Sequence, residues 1–337
     1  MASKYAFVVG CNARYLPGLN ALLNSLDLVG NTHDVYVLAY KLPVSYLKAV
    51  QDAGFSFRTI FEQVDQKEVD WLGEAEVLMR KRYGWPAMHN RVTEAGERYE
   101  AVCVLDADMF FCHNVDRYLE IAASSGLVLG CTLEQKRRYG DPNHQFPAES
   151  GQYLIPTDFW NARDLCCAPL FVGPKWWDAL EKSYKMVNDY PYGQGRFRAP
   201  DMDALNICLI EAGSYDKTIP LSQHTWTGLH ECLMKAHTRA IEMHDRPFTE
   251  DGEEINIVHG QYWNKTWRGW QIENQLGMID REFEGSPSMK SRAKGSFELV
   301  LRWYKKNAVE HKVNINDFLR FIETRAPEPA SDVMDLL

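Results

Sequence analysis

Residues 101–111 read AVCVLDADMFF, and the architecture of the 337-residue chain turns on them. Five apolar residues in succession, Ala101–Leu105, are the pattern of a central strand covered on both faces. The run ends in Asp106-Ala107-Asp108. In an open α/β sheet the carboxyl ends of the central strands line the ligand crevice. Residues i and i+2 of an extended chain point to one side. The two carboxylates are therefore expected to converge there, as hard oxygen ligands for a divalent cation set against a diphosphate. An Asp pair that caps the following turn is the plainer alternative.

Before this run, strands and helices alternate from the first residues. Tyr5–Val9 is apolar and stops at Gly10, and Leu16–Leu28 has Leu19, Leu22, Leu23 and Leu26 at helical spacing. Asp34–Tyr40 (DVYVLAY) reads as a second strand, Val44–Ala53 as a helix ending at Gly54, and Phe55–Ile60 as a third strand. This alternation predicts an α/β fold, a doubly wound and mainly parallel sheet flanked by helices. After the run, Leu127–Thr132, Leu170–Val172, Lys217–Ile219 and Ile255–Val258 look like strands, the last ending at His259. Trp176–Asn188 and Asp203–Glu211 look helical. Gly295–Arg325 has a helical pattern, a C-terminal helical extension, and the Pro-rich Ala326–Leu337 is expected to fray. Arg137–Gly151 and Asp189–Pro200 are polar and turn-rich, with the length of lids, acceptor loops or plain surface insertions.

Hydrophobic residues make up 45% and charged residues 25% of the chain, which excludes global disorder. No apolar run approaches the ~20 residues of a transmembrane helix. The start, MASKYAFVVG, lacks the length and cleavage site of a signal peptide. The net charge of −9 argues against nucleic-acid binding over the whole surface. None of the eight cysteines forms a C-x-x-C pair, so a zinc ribbon is not expected; reduced, buried thiols in a cytoplasmic protein are. Met289–Lys312 departs from the acidic balance, with seven basic residues against Glu298 and Glu310, a net +5. Such a stretch is either a solvated helix face or a contact for an anionic membrane or polyanionic acceptor.

Two further segments carry chemistry. In INIVHGQYWNKTW, His259 follows a strand, with Lys265 and Trp267 after it. An imidazole added to two carboxylates shifts metal preference from Mg²⁺ toward Mn²⁺ or another first-row metal, and Lys265 can place a point charge on a phosphate leaving group. In RAPDMDALN, Asp201 and Asp203 precede or open a short helix. N-capping suits Asp203 and a functional role suits Asp201, and both stand as candidate catalytic acids.

Together these residues resemble a family. The order runs from an apolar strand followed by Asn12 and Tyr15, to D-x-D, to D-x-D-x-L-N, to His259 with Lys265 and Trp267 behind it. It is similar to that of the GT-A retaining glycosyltransferases of the glycogenin and lipopolysaccharide-galactosyltransferase type, glycosyltransferase family 8, over about Tyr5 to Trp267. The resemblance implies a nucleotide-sugar-binding and catalytic domain over 1–275 and a helical extension over 276–337. It implies a nucleotide-sugar donor, usually a UDP-sugar, and Mn²⁺ as the metal, with Mg²⁺ second. By position Cys11, Asn12 and Tyr15 match residues around the uridine, and Gly10, Ala107 and Trp267 join the donor site. Asp106, Asp108 and His259 match the metal ligands, Lys265 the diphosphate contact, and Asp201 an acid beside the transferred sugar. The implied reaction retains anomeric configuration and passes the sugar to a hydroxyl on a glycan, lipopolysaccharide, protein or modified nucleic acid. The chain departs from the family pattern at Met202 (Gln in the family), at Cys167-Ala168-Pro169, at Tyr262 and at Thr266, and either His89 or Arg91 suits the family's upstream basic residue.

Three other readings compete. A dehalogenase-type phosphatase also uses D-x-D, but on its first strand and with Thr or Val soon after, where this chain has Met109-Phe110-Phe111. A nucleotidyltransferase wants a Gly-rich basic loop after the first strand, and GCNARYLPG offers one Arg. A non-catalytic nucleotide-sugar binder stays open because of Met202.

Overall fold

In the computed structural model the residues described are 3–63, 96–132, 165–189, 200–214, 217–221, 226–228, 240–259, 276–277, 279–281, 283–308 and 311–318. The apolar runs pair first. Strand β1 (Tyr5–Asn12) lies parallel to β2 (Asp34–Tyr40) on one side and to β4 (Ala101–Leu105) on the other, and β2 lies parallel to β3 (Thr59–Gln63). The sheet continues through β7 (Leu165–Val172), β6 (Val128–Thr132) and β8 (Thr218–Pro220), in the order β3-β2-β1-β4-β7-β6-β8. Strand β7 runs antiparallel to both β4 and β6, so the seven-stranded sheet is mixed but mostly parallel.

Alternate residues of each strand face opposite layers. Phe7, Val9, Val35, Val37, Cys103 and Leu105 pack with α1 (Leu16–Leu28), α2 (Val44–Asp52) and α3 (Asp116–Ser125). Ala6, Val8, Leu38, Val102 and Val104 pack with α4 (Trp177–Asp189) and α5 (Pro200–Glu211) on the other face. Helix α3 stops at Gly126, whose φ of 63° is the left-handed conformation that ends helices.

A second, three-stranded sheet extends the crevice edge. Its order is β5 (Met109–Phe111), β12 (Ile257–His259), β9 (Trp226–Gly228), and β12 is antiparallel to β5. A hairpin, β10 (Ala240–Met243) and β11 (Arg246–Thr249), turns on His244 and Asp245, both at positive φ as a two-residue type I′ connection requires. Helix α6 (Pro287–Trp303) packs Phe297, Val300, Leu301 and Trp303 against Phe110 and Val258.

Several boundaries differ from the sequence expectation. Strand β1 continues past Gly10 to Asn12, and β7 begins at Leu165 rather than Leu170. Strand β3 starts at Thr59, not Phe55. The Ser56 N–H donates to Asp27 Oδ1 at 2.7 Å, which diverts Phe55–Phe57 into a turn before the ladder begins. Helix α5 opens at Pro200, whose fixed φ suits a first helical turn, so Asp203 is its fourth residue and not its cap. Helix α6 begins at Pro287, ahead of Gly295, and ends at Trp303 in a π turn, Tyr304–Ala308. Five of the seven cations of the basic stretch have an acidic neighbour. Lys290 and Lys294 meet Asp280, Arg292 meets Glu250, Arg302 meets Glu242 and Lys312 meets Asp27. Among the described residues no helix is long and apolar enough to cross a membrane. Cys11, Cys103, Cys112 and Cys208 are buried. The stretch 137–151, the interior of 189–200 and the tail 326–337 lie outside the described residues.

Candidate metal and donor site

Strands β2 and β3 follow β1 on one side and β4 lies on the other, so the order reverses between β1 and β4. That is the switch point where an open sheet leaves a crevice. Val9 pairs with Leu105, and the next residues along the two strands are Gly10 and Asp106. Cys11 and Asn12 continue β1 into the crevice mouth, both buried. Asn12 Oδ1 accepts the Tyr15 N–H at 3.3 Å and fixes the turn into α1, which leaves Tyr15 half-buried at the rim.

The two carboxylates do not converge from an extended strand. Strand β4 ends at Leu105, and the Met109 N–H donates to the Asp106 carbonyl at 3.3 Å, closing a turn over Asp106–Met109 before β5 begins. The turn, with buried Ala107 inside it, brings the two side chains together. His259 arrives from a distant segment because β12 pairs with β5 in the register His259–Met109, next to Asp108. Its Nε2 lies 3.2 Å from Asp108 Oδ1 and 3.4 Å from Asp106 Oδ2. The Asp108 and His259 side chains are only 8% and 14% exposed, and Asp106 is 28% exposed. Each residue offers a ligand atom within 4.8 Å of the others.

Burial alone lowers the pKa of His259, but the charges and hydrogen bonds of Asp108 and Asp106 outweigh it and raise the imidazole from 6.5 to about 9. Two carboxylates this close together favour a positive charge beside them. Two carboxylate oxygens and one imidazole nitrogen suit a divalent first-row metal.

The remaining expected residues are less completely placed. Asp201 and Asp203 sit in the first turn of α5. That helix is pinned to β7 by Asn206, whose amide accepts the Leu165 N–H and donates to the Leu165 carbonyl, both at 2.9 Å. The side chains of Asp201, Met202 and Asp203 lie outside the described residues, as do Lys265, Trp267, Tyr262, Thr266, His89 and Arg91. Cys167-Ala168-Pro169 lies within β7. Sequence reasoning missed the Met109–Phe111 strand, which the apolar triplet after the Asp pair could have signalled, and it missed the pairing of that strand with β12.

No protein-family model matches the chain, and no curated protein matches it. Solved structures do. The fold is similar to galactosyltransferase LgtC in complex with donor and acceptor sugar analogs, with a TM-score of 0.53 at 12% identity over 83% of this chain and 99% of that one. An active-site mutant of LgtC gives a TM-score of 0.52 at 12% identity, over 83% of this chain and 99% of that one. The bifunctional glycosyltransferase WbbM gives 0.51 at 13% identity, over 87% of this chain and 52% of WbbM, so the chain spans about half of that protein. The architecture is the GT-A fold of these glycosyltransferases.

Proposed function

We propose that this chain is a metal-dependent glycosyltransferase. It moves a hexose or pentose from a nucleotide sugar, a UDP-sugar first among the donors, to an acceptor hydroxyl with retention of anomeric configuration. One observation carries the reading: Asp106, Asp108 and His259 meet at the switch point of a GT-A sheet. Asp106, Asp108 and His259 would hold Mn²⁺, or Mg²⁺ less well, where it neutralises charge on the donor diphosphate as a Lewis acid. Gly10, Cys11, Asn12 and Tyr15 line the strand end that would receive the nucleoside. Lys265 and Trp267 are assigned to the diphosphate end of the donor, and Asp201 and Asp203 to the transferred sugar.

The barrier in this chemistry is charge separation, an oxocarbenium-like sugar against an anionic diphosphate. Fixed cationic contacts at the leaving group are worth about 3–4 kcal/mol each. The acceptor oxygen bonds to the anomeric carbon as the bond to the phosphate oxygen breaks, and that oxygen takes the acceptor proton. Asp201 steadies the cationic sugar.

A panel of UDP-, GDP- and dTDP-sugars, with and without Mn²⁺, tests the reading by thermal shift and slow hydrolysis. The expected result is stabilisation and hydrolysis of one UDP-sugar that requires the metal. Phosphate-ester hydrolysis without any response to nucleotide sugars would replace the reading with a phosphatase. Met202, where the resembled family has Gln, favours a second reading as an inert nucleotide-sugar binder. A shift without hydrolysis or transfer would select it.

A further inference from the structure

The metal site stands on a strand pair three residues long, and so short a pair has few ladder hydrogen bonds to hold its register. Its backbone is tied on one side. The Phe111 N–H donates to Ser25 Oγ on α1 at 2.9 Å, and the Cys112 N–H donates to the Asn256 carbonyl at 2.8 Å. Phe110, opposite Val258 and between Asp108 and those ties, belongs to the apolar cluster around α6. There it stacks on Trp303 with ring centroids 6.0 Å apart and planes at 14°, and tilts against Tyr304 at 5.0 Å. All three rings are buried. Trp303 ends α6 and Tyr304 opens the π turn. The helix itself is fixed to the β10–β11 hairpin, where Ser296 Oγ accepts the Ala240 N–H at 3.0 Å and Arg292 and Arg302 pair with Glu250 and Glu242.

Resting on the metal reading above, we infer that Trp303 and Tyr304 are positioning residues for the metal ligands. Through Phe110 they hold β5 against β12, and so keep Asp108 and His259 at ligand distance. A site must be held within about 0.5 Å to bind well. Groups that orient ligands from behind typically change metal affinity about 10–100-fold when removed.

The test measures Mn²⁺ binding by electron paramagnetic resonance on the full chain, beside thermal melting. Trp303→Leu is expected to weaken Mn²⁺ binding at least about tenfold while melting stays cooperative, and Trp303→Phe is expected to restore it. Phe297→Leu, on the same helix and in the same cluster, is expected to lower the melting temperature and leave Mn²⁺ affinity unchanged. If Trp303→Leu does not fold, Phe110→Leu carries the same comparison against Phe297→Leu. A wild-type chain that binds no Mn²⁺ overturns the metal reading, and this claim with it. A wild-type chain that binds Mn²⁺, with Trp303→Leu or Phe110→Leu unchanged or Phe297→Leu equally weakened, overturns the positioning claim alone.

Discussion

His259 carries two opposite demands. Its folded pKa of about 9 lies above the ordinary 6.5. The stability it contributes is fully present below 6.5 and is lost as pH rises through about 9. A metal needs the neutral ring, so binding must expel that proton. Apparent Mn²⁺ affinity should therefore rise about tenfold per pH unit toward the folded value and level off above it, with proton release visible by calorimetry in buffers of different ionisation enthalpy. Asp108→Ala should fold and lose transfer at least about a hundredfold, which is ~2.7 kcal/mol. Transfer assays beside a melting curve check this, and near-wild-type turnover would remove Asp108 from the site. The Asp pair and the histidine were legible as residue types after apolar runs. The turn that brings the carboxylates together was not, because it depends on where β4 stops and β5 begins.

At the scale of elements, α1 shows what periodicity reads and what it cannot. Its leucines mark one buried stripe, and Leu16–Leu28 forms the helix the spacing predicts. Asn20, Asn24 and Ser25 would be its solvated face on pattern alone, yet all three are buried. The Asn20 and Asn24 amides donate to the Val313 carbonyl at 2.9 and 3.0 Å, and Asn24 Oδ1 accepts the N–H groups of Lys312 and Val313 at 3.2 Å. Asn24→Ala strands the N–H groups of Lys312 and Val313 and should cost roughly 1–3 kcal/mol, read as a lower urea midpoint with the slope unchanged. Strand β3 makes the same point. Phe55 and Phe57 have strand chemistry, but Ser56 is claimed by Asp27 and the ladder waits until Thr59.

At the scale of the molecule, the C-terminal segment closes the fold over its first helices. Val313, Ile315 and Phe318 enter the apolar cluster beneath the main sheet, and Phe318 meets Tyr46 edge to face at 5.2 Å. Asp27 binds this closure from the helix side, through His311 at 2.8 Å and Lys312 at 3.6 Å. Burial pushes its carboxyl pKa up, but the Ser56 N–H, His311, the Ser56 hydroxyl and Lys312 together bring it below the ordinary 3.8. A lowered carboxylate stabilises the fold above its unfolded pKa and ceases to as pH falls through the folded one. The stability gap between the wild type and Asp27→Asn should therefore be largest near neutral pH and shrink below about pH 4, as denaturant melts across pH would record. Alone, the sequence determined the strand–helix alternation, the fully buried central strand and the kinds of ligand atom placed at strand ends, because burial and side-chain chemistry are written locally. Only tertiary structure decided that His259 reaches the Asp pair, that polar residues of α1 are interior, and which acidic residues meet the cations of α6. Each of these depends on pairing between segments far apart in the chain, and local pattern does not encode it.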